Sequence, residues 1–177
     1  MSAVSSLRCR SARSDPGEPH AMRDGRDSDE AFEQFLELWE KLRAENEEGG
    51  AVVVVEGERD RRALRRLGLE GAIALVHRGE TLSATAQRLV TAGRPVIVLT
   101  DWDGEGGQLA RRLKEFLEAE RVPFDLDYRR RFARVLRGEL AHVEGLYGWA
   151  RRLAERRGGG LDGLLGAPVA GRTRTTG

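Results

Sequence analysis

Residues 96–107 have the sequence VIVLTDWDGEGG and are the clearest guide to the fold. The first four residues are apolar and mostly β-branched, which is typical of a short strand buried on both faces. Asp101 and Asp103 follow this run almost directly, and three glycines lie within the next four positions. In open α/β sheets, ligands bind beyond the carboxyl ends of the strands. This stretch therefore predicts a binding site at the end of a central strand.

Strand and helix patterns alternate along the rest of the chain. Apolar runs predict strands at 51–55, 72–76, 96–99 and 124–127, with amphipathic helices between them. Short connections between alternating strands and helices favour a parallel sheet covered on both faces. The predicted fold is therefore a compact, Rossmann-like α/β fold with about four mainly parallel strands, an N-terminal helix and C-terminal helices.

Composition divides the chain into segments. They are predicted to be a disordered tail (1–26), an amphipathic helix (27–50), an α/β domain (51–127), an arginine-rich helical extension (128–157) and a flexible tail (158–177). Asp27 is placed as the N-cap of the amphipathic helix, with Glu30 completing a capping box. The aromatic stripe of this helix is expected to pack onto the domain's own sheet.

The overall composition limits the class of protein. Of 177 residues, 40% are hydrophobic, and the mean hydropathy is −0.50. No apolar run approaches the roughly 20 residues of a membrane span, so a membrane location is not expected. Cys9 is the only cysteine, which excludes an internal disulfide and fits a cytoplasmic protein. Residues 121–157 hold ten arginines and five acids, whereas residues 28–48 hold eight acids and two bases.

Acidic residues follow two of the predicted strands. Because Asp101 and Asp103 are two positions apart, an extended backbone places both carboxylates on one side and Trp102 on the other. Two carboxylates this close repel each other unless they share a proton or a cation, and hard oxygen ligands suit Mg²⁺. Glu56 ends the first strand as Asp101 ends the third, so the two acids are expected at one sheet edge. The simpler interpretation, solvated acids that cap the next helix, fits Asp103 alone better than the whole set.

Two motifs resemble those of Toprim domains. Residues 56–60, EGERD, are similar to the E-G-x-x-D element of that family, and residues 101–106, DWDGEG, are similar to its D-x-D-x-x-G element. The resemblance covers about residues 51–123. In its small size and its arginine-rich helices, the chain resembles the standalone, small primase-like Toprim proteins of archaea and some bacteria. The resemblance implies magnesium-dependent phosphodiester chemistry on nucleic acid, at a site in a Rossmann-like domain.

The resemblance also implies roles for individual residues. Glu56 is expected to be the catalytic general acid or base and a metal ligand. Asp101 and Asp103 are expected to bind one or two Mg²⁺ ions with it. The supporting residues of the two motifs are Gly57, Asp60, Gly104 and Gly106.

The expected partner is RNA or DNA. Arg78, Arg129 and Arg130 are candidates for contacts with substrate phosphates, because arginine binds phosphate in a forked geometry. An ordinary solvated surface is the competing interpretation of these arginines. Nuclease-type hydrolysis is the expected activity. The alternatives are a non-catalytic module that binds RNA or ribonucleoprotein, primase-like nucleotidyl transfer and, ranked lower, a D-x-D phosphatase.

Overall fold

The structure, a computed structural model, describes residues 20–76, 79–136, 138–161 and 165, with side chains from residue 28 onward. The strands of this part of the chain are β1 (Val52–Val55), β2 (Ile73–Leu75), β3 (Val96–Val98) and β4 (Phe124–Asp125). Its α-helices are α1 (His20–Glu47), α2 (Glu58–Arg66), α3 (Leu82–Ala92), α4 (Gly104–Ala119), α5 (Asp127–Val135) and α6 (Leu146–Arg156). A 3₁₀ turn, Val143–Gly145, precedes α6.

The four strands form one parallel sheet in the order β2-β1-β3-β4. In the register, Val53 of β1 lies beside Ile73 of β2 on one side and Ile97 of β3 on the other. Asp125 of β4 pairs with Ile97 from the far side. The predicted fold class is therefore confirmed, and β1 and β3 are the two central neighbours.

Helices cover both faces of the sheet. Because side chains alternate along a strand, Val53 and Val55 face one apolar cluster, while Val52 and Val54 face another. The first cluster receives residues of α1, α2, α5 and α6, and the second receives residues of α3 and α4. Burial of the strands on both faces explains why β1 and β3 are continuous apolar runs.

The predicted start of the N-terminal helix was wrong. α1 begins at His20, so Asp27 lies inside the helix and is not its N-cap. No proline interrupts residues 20–47, and extending an existing helix costs far less than nucleating one. Residues 20–26 of the predicted disordered tail are therefore helical, whereas residues 1–19 lie outside the described residues, as does most of the predicted C-terminal tail.

The buried face of α1 lies in the apolar cluster on one side of the sheet, and its main neighbours there are α5 and α6. Phe32, Phe35 and Trp39 are almost fully buried, and Phe35 stacks on Trp39 with ring centroids 6.1 Å apart. The Trp39 indole N–H donates to the Leu67 carbonyl at the end of α2. Although α1 has 28 residues, neither it nor any other helix in the described ranges is apolar over a length that could cross a membrane.

Candidate metal centre at the carboxyl edge of the sheet

The two central strands bring the predicted acids to one edge of the sheet. Val54 of β1 pairs with Val98 of β3, so the carboxyl ends of the two parallel strands lie side by side. The Leu99 N–H donates to the Val54 carbonyl at 2.8 Å. One step further, the Asp101 N–H donates to Oε1 of Glu56 at 3.1 Å. The Glu56 carboxylate therefore lies against the backbone of the segment that carries the aspartates.

Both carboxylate oxygens of Asp101 have partners. Oδ2 lies 2.8 Å from Nδ1 of His142, and Oδ1 accepts the Val143 N–H at 2.8 Å. These partners come from the segment just before α6, which is also joined to the site by the Trp102 N–H bonded to the Ala141 carbonyl at 2.8 Å. A distant part of the chain thus sets the orientation of the Asp101 carboxylate.

Asp103 lies on the same side as Asp101 and is the N-cap of α4. Its Oδ1 accepts the Gly106 N–H at 2.8 Å, while its Oδ2 lies 3.8 Å from Nδ1 of His142. Trp102, between the two aspartates, packs in the apolar layer, with its ring centroid 6.1 Å from that of Phe132. This is the alternation expected of an extended D-x-D segment.

Asp101, Asp103 and His142 lie together, and we call these three residues the acidic cluster. One ligand atom from each residue lies within 4.8 Å of the other two, and this is a geometry that could hold a metal ion. The hydrogen bond to Asp101 raises the pKa of His142, with the nearby negative charges acting in the same direction and burial opposing them. Sequence reasoning missed His142, because a histidine in an irregular segment after an arginine-rich helix carries no local signal.

Gly106 is required by close packing. A Cβ at this position would lie 2.2 Å from the Asp101 carbonyl oxygen and 2.9 Å from Oε1 of Glu56. By contrast, a Cβ at Gly57 or Gly104 would meet nothing within 4 Å. Of these three predicted supporting glycines, only Gly106 is therefore required by the packing, because no side chain fits between α4 and the acids at this position.

Asp60 caps its own helix. It lies in the first turn of α2, and its Oδ2 accepts the N–H of Gly57, the N-cap residue, at 2.9 Å. Burial raises the pKa of the Asp60 carboxyl above its usual range, although the hydrogen bond from Gly57 opposes this shift. Asp60 therefore stabilises the turn that follows Glu56.

The three predicted phosphate-binding arginines have different environments. Arg129 is half-buried; its Nη2 donates to the Asp101 carbonyl at 2.6 Å and its Nε donates to Oγ1 of Thr100 at 3.1 Å. Burial lowers the pKa of Arg129, while the neighbouring carboxylates act in the opposite direction. Arg130 is exposed, 4.0 Å from Asp127, and Arg78 lies outside the described residues. Arg129 is thus a structural part of the site.

The fold and the acidic cluster together define a class: parallel α/β proteins whose candidate metal centre lies at the carboxyl edge of the sheet. Within this class the chain belongs to the Toprim domain family, because the model of that domain matches residues 51–135 and close relatives match most of the chain. Toprim domains are associated with nucleic acid and typically bind Mg²⁺ through acidic residues.

Several relatives are small archaeal proteins. A UPF0292 protein of Methanosarcina acetivorans is 34% identical over 136 residues, which is 75% of this chain and 94% of the relative. A UPF0292 protein of Thermococcus gammatolerans is 37% identical over 119 residues, covering 67% of this chain and 85% of the relative. These matches confirm the predicted resemblance to standalone Toprim proteins.

A solved structure also matches. It is described as a putative protein from Aquifex aeolicus, with a TM-score of 0.51 and 26% sequence identity. The match covers 61% of this chain and 94% of that protein. The shared region therefore accounts for nearly the whole of the Aquifex protein.

Proposed function

We propose that this protein hydrolyses phosphodiester bonds in nucleic acid with the help of a divalent metal ion, Mg²⁺ in the first instance. The observation that carries the proposal is the acidic cluster with Glu56 beside it. Ligand atoms of Asp101, Asp103 and His142 converge within 4.8 Å, and Glu56 is hydrogen-bonded to the backbone of Asp101. Membership of the Toprim family supports a metal-dependent role on nucleic acid.

The chemistry of the donor set fits a divalent cation. The Asp101 and Asp103 carboxylates are only partly exposed, with 16% and 34% of their side chains accessible, and two like charges this close favour a shared cation. Carboxylate oxygens are ligands that suit Mg²⁺ and Mn²⁺, and an imidazole adds affinity for the later transition metals. In the proposal, Asp101 and Asp103 are ligands and His142 is a further ligand, while Glu56 lies beside them on the Asp101 N–H and is not needed to hold the ion.

When bound, such a cation neutralises the phosphate and lowers the pKa of a water molecule at the site. Glu56 has the proton-handling role. Its Oε1 is held by the Asp101 N–H, so the carboxylate is oriented before substrate binds. In the reaction, the water oxygen attacks phosphorus as the bond from phosphorus to the leaving oxygen breaks. Glu56 accepts the proton of the water, and the leaving oxygen takes a proton from solvent.

Arg129 is a positioning residue in this proposal. It joins α5 to the carbonyl of Asp101 and to Thr100, so it holds the aspartate segment in the conformation that presents both carboxylates. Its positive charge also offsets part of the repulsion among the acids, since Asp103, Glu56 and Asp101 all favour its charged form.

Metal binding is tested by thermal unfolding of the full chain with MgCl₂ or MnCl₂. A ligand at about 100 times its Kd stabilises the folded state by about 2.7 kcal/mol, which raises Tm by about 5–11 °C for a chain of this size. We expect this shift in the wild type and in the Glu105→Gln control, whose exposed side chain lies outside the cluster. The Asp101→Asn/Asp103→Asn variant should lose the shift. An equal shift in all three proteins would contradict the metal site.

Hydrolysis is tested with labelled single-stranded RNA and DNA in the presence of Mg²⁺ or Mn²⁺. Removal of a general base typically lowers the rate by about 10²–10⁴-fold, so Glu56→Gln should lose activity while its metal-induced Tm shift remains. The Glu105→Gln control should cleave like the wild type. Cleavage that is equal in Glu56→Gln and the wild type would refute the assignment. A wild type that binds the metal and the oligonucleotides without cleaving them would favour the binding-module alternative.

A further inference from the structure

A groove lined by arginines opens beside the candidate metal centre. It lies between α2 and α6, has a volume of about 670 Å³, and its polar lining includes Arg59, Arg62, Arg66, Tyr147, Arg151 and Arg152. We call these six residues the arginine groove. The two predicted motifs do not include Arg62, Arg66 or any residue of α6, so this surface is separate from the sequence-derived candidates.

The arginines of α2 form one stripe. Arg59, Arg62 and Arg66 are spaced i, i+3 and i+7, so they share one face of the helix. All three are exposed. The stripe spans about 10 Å at 1.5 Å per residue, a length over which three cationic side chains can contact more than one backbone phosphate. The spacing therefore fits a short run of backbone phosphates.

Much of the positive charge in the groove is not neutralised by the protein. Arg59 lies 3.8 Å from Glu144, and Arg151 lies 3.2 Å from Glu155. Within the part of the chain that the structure describes, no carboxylate lies within ion-pair distance of Arg62, Arg66 or Arg152. A polyanion would supply the missing negative charge.

Tyr147 adds an aromatic group to the groove. The guanidinium carbon of Arg66 lies 3.8 Å from the centre of the Tyr147 ring, so a cation–π contact holds this arginine in place. Restricting a long side chain before binding reduces the entropy lost when it meets a ligand. Arginine planes and aromatic rings are also surfaces on which unpaired bases stack. The combination favours single-stranded nucleic acid over an acidic protein segment.

The groove reaches the candidate metal centre. Glu144 lines it, and the adjacent residue, Val143, donates its N–H to the Asp101 carboxylate. The helix that forms the other side of the groove, α2, begins two residues after Glu56, at the same end of the groove as Glu144. A strand lying in the groove would therefore pass directly to the acidic cluster.

We infer that the arginine groove binds the single-stranded nucleic acid on one side of the phosphate to be cleaved. The inference rests on the proposed function for its substrate class. It adds the path that the substrate takes: past Arg66 and Tyr147, along the exposed stripe of α2 to Arg59, and over the 3₁₀ turn to Asp101.

The test measures binding in EDTA, so its outcome does not depend on a metal or on cleavage. Fluorescein-labelled single-stranded RNA and DNA of about 12 nucleotides are titrated with the full chain, and anisotropy is followed at several salt concentrations. The groove variant is Arg62→Gln/Arg66→Gln. The control is Arg88→Gln/Arg112→Gln, which removes the same charge from exposed positions of α3 and α4 on the opposite side of the sheet.

We expect the groove variant to bind about tenfold more weakly than the control. The slope of log K against log salt should fall by about 1.4, because each phosphate contact on a single strand contributes about 0.7. Equal affinity and equal slope in the two variants would overturn the inference. Tighter binding of the wild type to poly-L-glutamate than to the oligonucleotides would also overturn it, and would assign the groove to an acidic protein segment. If metal-dependent cleavage fails while this difference in affinity is observed, only the catalytic proposal is lost.

Discussion

Substitution of Gly106 by alanine tests how closely α4 packs on the acidic residues. The added Cβ would lie 2.2 Å from the Asp101 carbonyl oxygen, 2.8 Å from its carbon and 2.9 Å from Oε1 of Glu56. Two of these three atoms belong to the backbone, which cannot rotate away as a flexible side chain does. The start of α4 must therefore move away from β3, or the acids must move with it.

The expected loss of stability follows from two opposing effects. Overpacking in a close-packed region costs about 1–3 kcal/mol, and a contact this short is expected to cost about 3 kcal/mol. Replacing glycine by alanine in a helix returns about 1 kcal/mol. The net loss is then about 2 kcal/mol, which lowers Tm by about 4–8 °C. Gly104→Ala, where a Cβ meets nothing within 4 Å, should instead gain about 0.4–1 kcal/mol.

Thermal unfolding followed by circular dichroism, without divalent metal, measures both variants. A Tm for Gly106→Ala equal to or above that of Gly104→Ala would refute the packing argument. A second measurement concerns the site. Because the same Cβ also displaces Glu56 and the Asp101 backbone, Gly106→Ala should shift Tm less on addition of MnCl₂ than Gly104→Ala does.

Three further substitutions test the packing that supports the site. Thr81→Ala removes the hydroxyl that accepts the Ala84 N–H at 3.2 Å and should cost about 1 kcal/mol in chemical denaturation, whereas Thr81→Ser should cost much less. Asn46→Ala removes the side-chain amide that donates to the Ala51 and Ala72 carbonyls and should cost about 2 kcal/mol, at about 1 kcal/mol for each hydrogen bond; an unchanged denaturation midpoint would contradict this. Burial and the hydrogen bond to Glu45 raise the pKa of Tyr128. The unfolded state therefore loses this proton first, and stability should fall as pH rises through about 10. Tyr128→Phe should lose that part of the pH dependence in unfolding experiments at alkaline pH.

Local sequence patterns were sufficient to predict most of the secondary structure. Thr81 caps α3 and Gly93 ends it in a left-handed conformation with φ of 60°, as expected from side-chain chemistry and backbone sterics that act within a few residues. The helix start predicted at Asp27 was wrong for a related reason. A capping residue marks a favourable helix start, but it does not stop a helix from extending further when nothing before it breaks the helix.

The relation between Glu56 and Asp101 was also predictable, because the carboxyl ends of parallel strands meet at one edge. The sequence left open whether the two strands were direct neighbours. The β1–β3 register settles this point and places the Asp101 N–H on the Glu56 carboxylate. The role of Arg129 was not predictable to the same degree, since only the packing of α5 on β3 places its guanidinium on the backbone of Asp101.

The amino-acid sequence determined the α/β alternation, the two acidic motifs at strand ends and the family, because each depends on residue types at short and regular spacing. The tertiary structure alone brought His142 to Asp101, across 41 residues, and placed Tyr147 of α6 against Arg66 of α2. Contacts between segments so far apart depend on how α2 and α6 pack in the shared apolar layer. That packing is a property of the whole core, so no local pattern in either segment records it.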